Sequence, residues 1–271
     1  MQTIENLFGF DNPPEGTFGI EIETEGENLA MVVPHQWLIH DDGSLRGRFP
    51  NEKAEYVLAA PLNLQAAVKA VKDLAKAQAG ATLNFSFRTS VHVHYNVCKF
   101  TEDQVLNLIY TYYLLEIPIM NLCGEHRIGN RFCLRLKDCD GIAAILTDIV
   151  RNSVKRIRQY GADAVRYAAL NLDALSKFGS VEFRGMQGTL DTNTLTGWLG
   201  LISTLGAYAK SKQNIVEIHN SFIGQPTEKF VREVVGEGFY ELLFYSGMHQ
   251  DVELGHSLTL DLPHLYHRVK G

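Results

Sequence analysis

Three distant segments of the chain each place two ligand-type side chains two positions apart: Glu21-Ile22-Glu23, His92-Val93-His94 and Glu182-Phe183-Arg184. Side chains at i and i+2 of a β-strand share one face. Strand formers (Phe18, Ile20, Val91, Val181) flank the pairs, so each segment predicts a strand with two functional groups on one side. Ile20 and Ile22 then turn to the core. Carboxylates and imidazoles gathered with an arginine can bind divalent cations and phosphate. Oxygen donors suit Mg2+ or Mn2+, and one imidazole among carboxylates suits those ions better than structural zinc. A single pair of exposed carboxylates would be commonplace. Three pairs in one chain predict a metal–nucleotide site.

The elements that must carry these pairs are legible in outline. Pro13, Pro14 and Gly16 mark a turn from an N-terminal arm into a strand over residues 17–24, with the apolar run 29–33 as its hairpin partner. An Asp- and Gly-rich turn (HDDGSL, residues 40–45) precedes a strand over 55–58, which Pro61 stops. Leu64, Ala67, Val71 and Leu74 recur at helical spacing and predict a helix over 63–78. A strand over 85–97 holds the histidines, and a helix runs from 101 to about 121 through Pro118. Further on, helices are predicted over 141–152 and 192–210, strands over 167–172 and 180–184, and short helices with irregular chain over 211–271. There is no βαβ rhythm, glycine-rich phosphate loop, repeat or linker. The pattern predicts one α+β domain over residues 1–271, a largely antiparallel sheet with helices packed on one face.

A chain of 271 residues that is 45% hydrophobic and 21% charged can bury a substantial core. Its formal charge of −6 and lack of a long Lys/Arg block leave no basic footprint for nucleic acid. The short cluster KRIR (155–158) reads as a solvated helix face. No apolar run reaches bilayer length, and the N-terminus lacks a basic-then-apolar pattern, so no membrane anchor or signal peptide is expected. Cys98, Cys123, Cys133 and Cys139 have no metal-site spacing and read as free thiols of a reducing, cytoplasmic setting. His256, His264 and His267 have no partners at diagnostic spacing and read as surface residues.

The run Arg166-Tyr167-Ala168-Ala169-Leu170-Asn171-Leu172, with Gly179-Ser180-Val181-Glu182-Phe183-Arg184 and Gly188-Thr189-Leu190-Asp191, resembles the signature of the putative amidoligase family. These are carboxylate–amine ligases related to glutamine synthetase and glutamate–cysteine ligase. Phe18-Gly19-Ile20-Glu21-Ile22-Glu23, Asp42-Gly43-Ser44 and the His-x-His strand match the remaining motifs in order, so the resemblance spans residues 17–205. Two departures stand out. Ser90 replaces a common glycine, and Glu-Ile-Val-Ser-Pro appears as Glu55-Tyr56-Val57-Leu58-Ala59-Ala60-Pro61.

The resemblance implies a glutamine synthetase/glutamate–cysteine ligase-like catalytic domain with a curved sheet, using ATP and Mg2+ (or Mn2+). It implies that Glu21 and Glu23 serve different ions, that Glu55 completes one site, and that His92 or His94 completes the other with Glu182. Arg184 would contact the transferred phosphoryl group. Asp42 reads equally as a group orienting the amine and as a turn cap. Arg88, Arg127, Arg131 and Arg166 are candidates for gripping ATP or the substrate carboxylate; Asn171 and Asp191 are equally explained by local capping.

The implied reaction forms an amide or isopeptide bond through an acyl phosphate, with release of ADP. The partners would be a small-molecule, peptide or modified-nucleotide carboxylate and an amine, in keeping with a family found in phage and bacterial gene clusters. Apolar helices could supply a homo-oligomer interface. The competing readings are a guanidino-type phosphotransferase, a non-catalytic nucleotide-binding relative and a metal-dependent hydrolase.

Overall fold

The computed structural model describes residues 2–11, 16–160 and 165–261. Pro13, Pro14, His264 and His267 lie outside the described residues. The centre of the fold is β1 (Phe18–Glu27), which pairs with β3 (Lys53–Leu58) on one side and β5 (Ser90–Asn96) on the other. Adding β2 (Trp37–His40), β7 (Ser180–Gln187) and β6 (Leu170–Asn171) gives a curved, open sheet of order β2-β3-β1-β5-β7-β6. The short β4 (Thr82–Asn84) pairs with the last residues of β1, and every strand pair is antiparallel.

Strand alternation sorts the sheet into two faces. Ile20, Ile22, Tyr56, Val91, Val93, Val181 and Phe183 are all buried on one of them. Over that face lie α2 (Leu64–Ala77), α3 (Glu102–Leu114) and α7 (Thr192–Ser211). Phe183 meets Tyr112 of α3 and Trp198 of α7 edge-on, with centroids 5.7 and 6.1 Å apart. Each such fully buried side chain contributes about 1.5–3 kcal/mol. Local signals start these helices: Asn63 accepts from Ala66 N at 2.9 Å, Thr101 and Gln104 form a capping box, and Asp191 accepts from Thr194 N at 2.7 Å.

Several expectations change. Residues 29–33 form no strand. Asn28 turns the chain at φ 57, Leu29 N donates to Asn51 O, and the Gln78 amide bonds both Ala30 N and Ala30 O, so this backbone has no need of a sheet partner. The helix expected from 101 to 121 breaks at Leu115 into α3 and α4 (Glu116–Leu122), bent by 68°. Pro118 has no N–H and its ring crowds the carbonyl four residues earlier. The N-terminal arm contains α1 (Ile4–Phe8), whose Ile4 and Phe8 are buried. The histidine strand starts at Ser90 rather than Phe85, and the strand expected over 167–172 shrinks to Leu170–Asn171.

Beyond α5 (Asp140–Arg151) and α6 (Ala174–Phe178), the C-terminal region is more regular than expected, with α8 (Ile215–Ile223), α9 (Thr227–Leu243) and α10 (Met248–Leu260). His256 is no lone surface residue: its ring stacks on the buried His219, centroids 5.1 Å apart. All four cysteines are free. Among the described residues no single helix is long and apolar enough to cross a membrane.

Candidate active site

The face opposite the core gathers the residues that strand spacing picked out. Register explains how: Glu21 lies opposite His92 on β5 and Val57 on β3, while Glu23 lies opposite Glu55. On the next strand pair His94 faces Glu182. A β-bulge between Val91 and Val93 shifts the register there, bringing Arg184 beside His92, with Nη1 3.4 Å from Nδ1.

Two groups of ligand atoms result. Glu21, His94 and Glu182 bring one ligand atom each within 4.8 Å of one another, and so do Glu23, Asp42 and Glu55. Asp42 arrives from the turn after β2, where its carboxylate also accepts from Ser44 N at 2.5 Å. Its turn-capping bond and its place in the second group therefore coexist. His94, rather than His92, joins the first group, with Nε2 3.4 Å from Glu21 Oε1 and Nδ1 3.0 Å from Ser180 Oγ. His92 is almost fully buried between the groups: Nδ1 lies 3.2 Å from Glu21 and 3.7 Å from Glu182, while Nε2 lies 3.9 Å from Glu23.

Charge separates the two groups. Burial opposes ionisation of Glu21, but hydrogen bonds to His92 and His94 overcome it and hold its carboxyl far below the usual range. Burial likewise opposes ionisation of Glu182, and Arg184 with the two histidines outweighs it. For His94 burial disfavours the cation, yet the Glu21 hydrogen bond and the carboxylates raise its pKa. Glu55 behaves in the opposite way. Burial, then repulsion from Glu21, Glu23 and Asp42, pushes its carboxyl up to about 7.

The arginines and asparagine divide by place. Arg184 Nη1 pairs with Glu182, while its buried Nε has no hydrogen-bond partner among the described residues. Asn171 Nδ2 donates to Glu182 at 2.6 Å and is thereby tied to the first group. Arg127 is fully buried and donates to Arg184 O at 2.8 Å and Gly185 O at 3.1 Å, which makes it a brace for the backbone of β7. Arg88 is half-buried and Arg131 and Arg166 are exposed, each over an aromatic ring and none in either ligand group. Asp191 caps α7 and stays out of the cluster.

Two features escaped the sequence reading. Ser90, noted only as a departure from glycine, joins the groups: its hydroxyl bonds Glu23 and lies 2.8 Å from His92 Nε2. A largely apolar cleft of about 520 Å3 also opens beside Glu21 and His94, walled by Phe10, Val57, Pro61 and Phe178 with Lys177 at its edge. Gly19 floors it, where an added Cβ would sit 3.3 Å from the His94 Cβ. The Ala59-Ala60-Pro61 run was a sequence signal for that wall, but nothing ties Phe10 to it before folding.

No curated protein matches the chain. A family model described as "Putative amidoligase enzyme" matches residues 59–205, more than half of the sequence. The matched span holds His92, His94, Glu182 and Arg184, while Glu21, Glu23, Asp42 and Glu55 precede it and reach the same face through β1, β3 and the turn before β3. The chain is a member of the putative amidoligase family.

Proposed function

We propose that the protein is an ATP-dependent carboxylate–amine ligase that forms an amide or isopeptide bond through an acyl phosphate. The observation that carries this reading is the pair of ligand groups meeting along β1, with Arg184 paired to Glu182 of the first. A carboxylate is a poor acyl donor because oxide is a poor leaving group. In the first step an oxygen of the acceptor carboxylate bonds to the γ-phosphorus of ATP, and the bond to the ADP oxygen breaks. In the second an amine lone pair attacks the carbonyl carbon, inorganic phosphate leaves, and the amine sheds a proton. Both steps need two anions held together, so positioning and charge neutralisation dominate the catalysis.

The donor chemistry fits divalent cations. Oxygen-rich groups with one imidazole suit Mg2+ or Mn2+, and a Glu55 carboxyl driven up by burial and then by neighbouring carboxylates is one that a cation would return to its charged form. Glu21, His94 and Glu182 would hold one ion, and Glu23, Asp42 and Glu55 the other. Such ions, when bound, neutralise phosphate oxygens and the developing charge of the transfer.

The chain's own groups do the rest. Arg184 would donate to a phosphoryl oxygen through its guanidinium fork, which Lys lacks, once the ligand draws its Nη1 from Glu182 and His92. The apolar cleft next to Glu21 and His94 suits a nucleoside, with Phe10 and Phe178 against the base and the phosphates directed at the first group. Asp42, which also accepts from Ser44 N, would help orient the amine beside the second group.

The test is trapping. A panel of carboxylates is incubated with ATP, Mg2+ or Mn2+ and hydroxylamine, with Glu21→Ala as the blank. The proposal expects a hydroxamate and stoichiometric ADP from the unaltered chain alone. AMP in place of ADP would reject the acyl-phosphate route, and a phosphorylated guanidine would favour the phosphotransferase.

A further inference from the structure

At the end of the site away from the apolar cleft, three chain segments each contribute an arginine next to an aromatic residue: Phe87-Arg88, Arg131-Phe132 and Arg166-Tyr167. The rings assemble into one run. Phe87 and Phe132 stack, with centroids 6.2 Å apart and planes at 16°, and Phe132 meets Tyr167 at 5.9 Å. The guanidinium carbons lie over their neighbours' rings, at 4.6 Å for Arg88, 5.0 Å for Arg131 and 5.7 Å for Arg166. Phe87 is 46% exposed and Tyr167 36%. None of the three arginines has an ion-pair partner among the described residues; the Arg88 guanidinium donates to the Ser44 carbonyl, at 3.1 Å.

This platform is fixed to the candidate active site by backbone. Phe87 O accepts from Asn130 Nδ2 at 2.8 Å and from Arg127, which also holds Arg184 O. Tyr167 O accepts from Leu134 N at 2.6 Å, Ala169 N donates back to Leu134 O, and Arg184 N donates to Ala169 O at 2.9 Å. Three residues beyond Phe87, Ser90 touches Glu23.

We infer that this platform binds single-stranded nucleic acid and so presents a strand-borne substrate group to the site. Two exposed rings, Phe87 and Tyr167, bridged by the half-buried Phe132 and flanked by arginines with no ion pair among the described residues, combine the two elements of single-strand recognition, base stacking and phosphate attraction. An anionic peptide would use the arginines and leave the rings wet; an apolar partner would use the rings and strand three cations. A run of three rings with three cations also exceeds what one mononucleotide can occupy. The inference departs from the expectation drawn from the net charge of −6, which averages over the chain and cannot see three arginines brought together from positions 88, 131 and 166. It rests on the ligase reading only for the use made of the strand.

The experiment is fluorescence anisotropy with a labelled ten-nucleotide oligothymidylate and the full chain, without ATP, over a range of salt concentrations. Three phosphate contacts predict a slope of log affinity against log salt of about −2, at roughly −0.7 per contact. Arg131→Ala and Arg166→Ala, both at exposed positions, should each flatten the slope by about 0.7. Tyr167→Ala should weaken binding roughly tenfold and leave the slope unchanged. A decaglutamate peptide should not compete, and thymidine monophosphate should compete only far more weakly than the strand. Absence of binding, binding indifferent to all three substitutions, or equal competition by decaglutamate would overturn the inference. Because no ATP is present, a failed ligase assay leaves this result standing, and the converse holds for the hydroxamate assay.

Discussion

The two acidic groups are built on Glu21 and Glu23, two positions apart on one strand, and have opposite electrostatics. In the first, Glu21 and Glu182 are surrounded by His92, His94 and Arg184, and their carboxyls are pulled below the ordinary range. In the second, Glu23, Asp42 and Glu55 face one another with no basic residue in the group, and Glu55 is pushed to about 7. The first group is neutralised from within and helps hold β1, β5 and β7 together; the second carries charge that the fold leaves to something else. That difference separates a candidate cation site whose charge the chain already offsets from one whose charge it leaves unbalanced.

The largest effect should come from breaking the first group. Glu182→Ala leaves the largely buried Arg184 without its ion-pair partner, so it should abolish hydroxamate formation and cost about 3 kcal/mol of stability, as measured by denaturant unfolding. Glu55→Gln in the second group should abolish activity while leaving cation-free stability unchanged or higher. Equal destabilisation by both substitutions would erase the contrast. Arg184→Lys keeps the charge and loses the fork, so turnover should fall by roughly 10²-fold, with a smaller change in the KM for ATP.

pH sharpens the same comparison, with cation absent. Folding raises the Glu55 carboxyl from 4.5 to about 7, so its contribution to stability is complete below about 4.5 and is lost as pH rises through about 7. Glu21 and Glu182 are lowered, so their contributions are present above the unfolded carboxylate value and are lost as pH falls through the lowered folded values. The melting-temperature advantage of Glu55→Gln over the unaltered chain should therefore grow between pH 4.5 and 7. Adding divalent cation at 100 times its Kd should stabilise by about 2.7 kcal/mol per bound ion, so the unaltered chain, with two ions to the variant's one, should gain more and the ranking should reverse. The smallest effect belongs to Asn171→Ala, which removes one donor to Glu182 and should cost about 1 kcal/mol.

Much of the site was legible because strand period is local. Glu-x-Glu, His-x-His and Glu-x-Arg each put both side chains on one face whatever the topology, and that face is opposite Ile20, Ile22, Val93 and Phe183. What depends on pairing was not legible. The antiparallel register that sets His94, rather than His92, against Glu182 and the bulge that moves Arg184 beside His92 arise between strands nearly ninety residues apart. The hairpin expected from the apolar run 29–33 failed for a similar reason, because Gln78, on the far side of α2, satisfies its backbone. Arg127 looked like its neighbour Arg131 in sequence, and only packing decides that one braces the backbone and the other lies on a ring at the surface. The bend at Leu115 was written in Pro118.

Counting bound Mn2+ by isothermal titration calorimetry at pH 7.5 tests the two-group account most directly. The unaltered chain should bind two ions, Glu55→Gln one, and Glu182→Ala, where it remains folded by circular dichroism, one of the other kind with different affinity. No bound ion in the unaltered chain, or one ion untouched by either substitution, would contradict it.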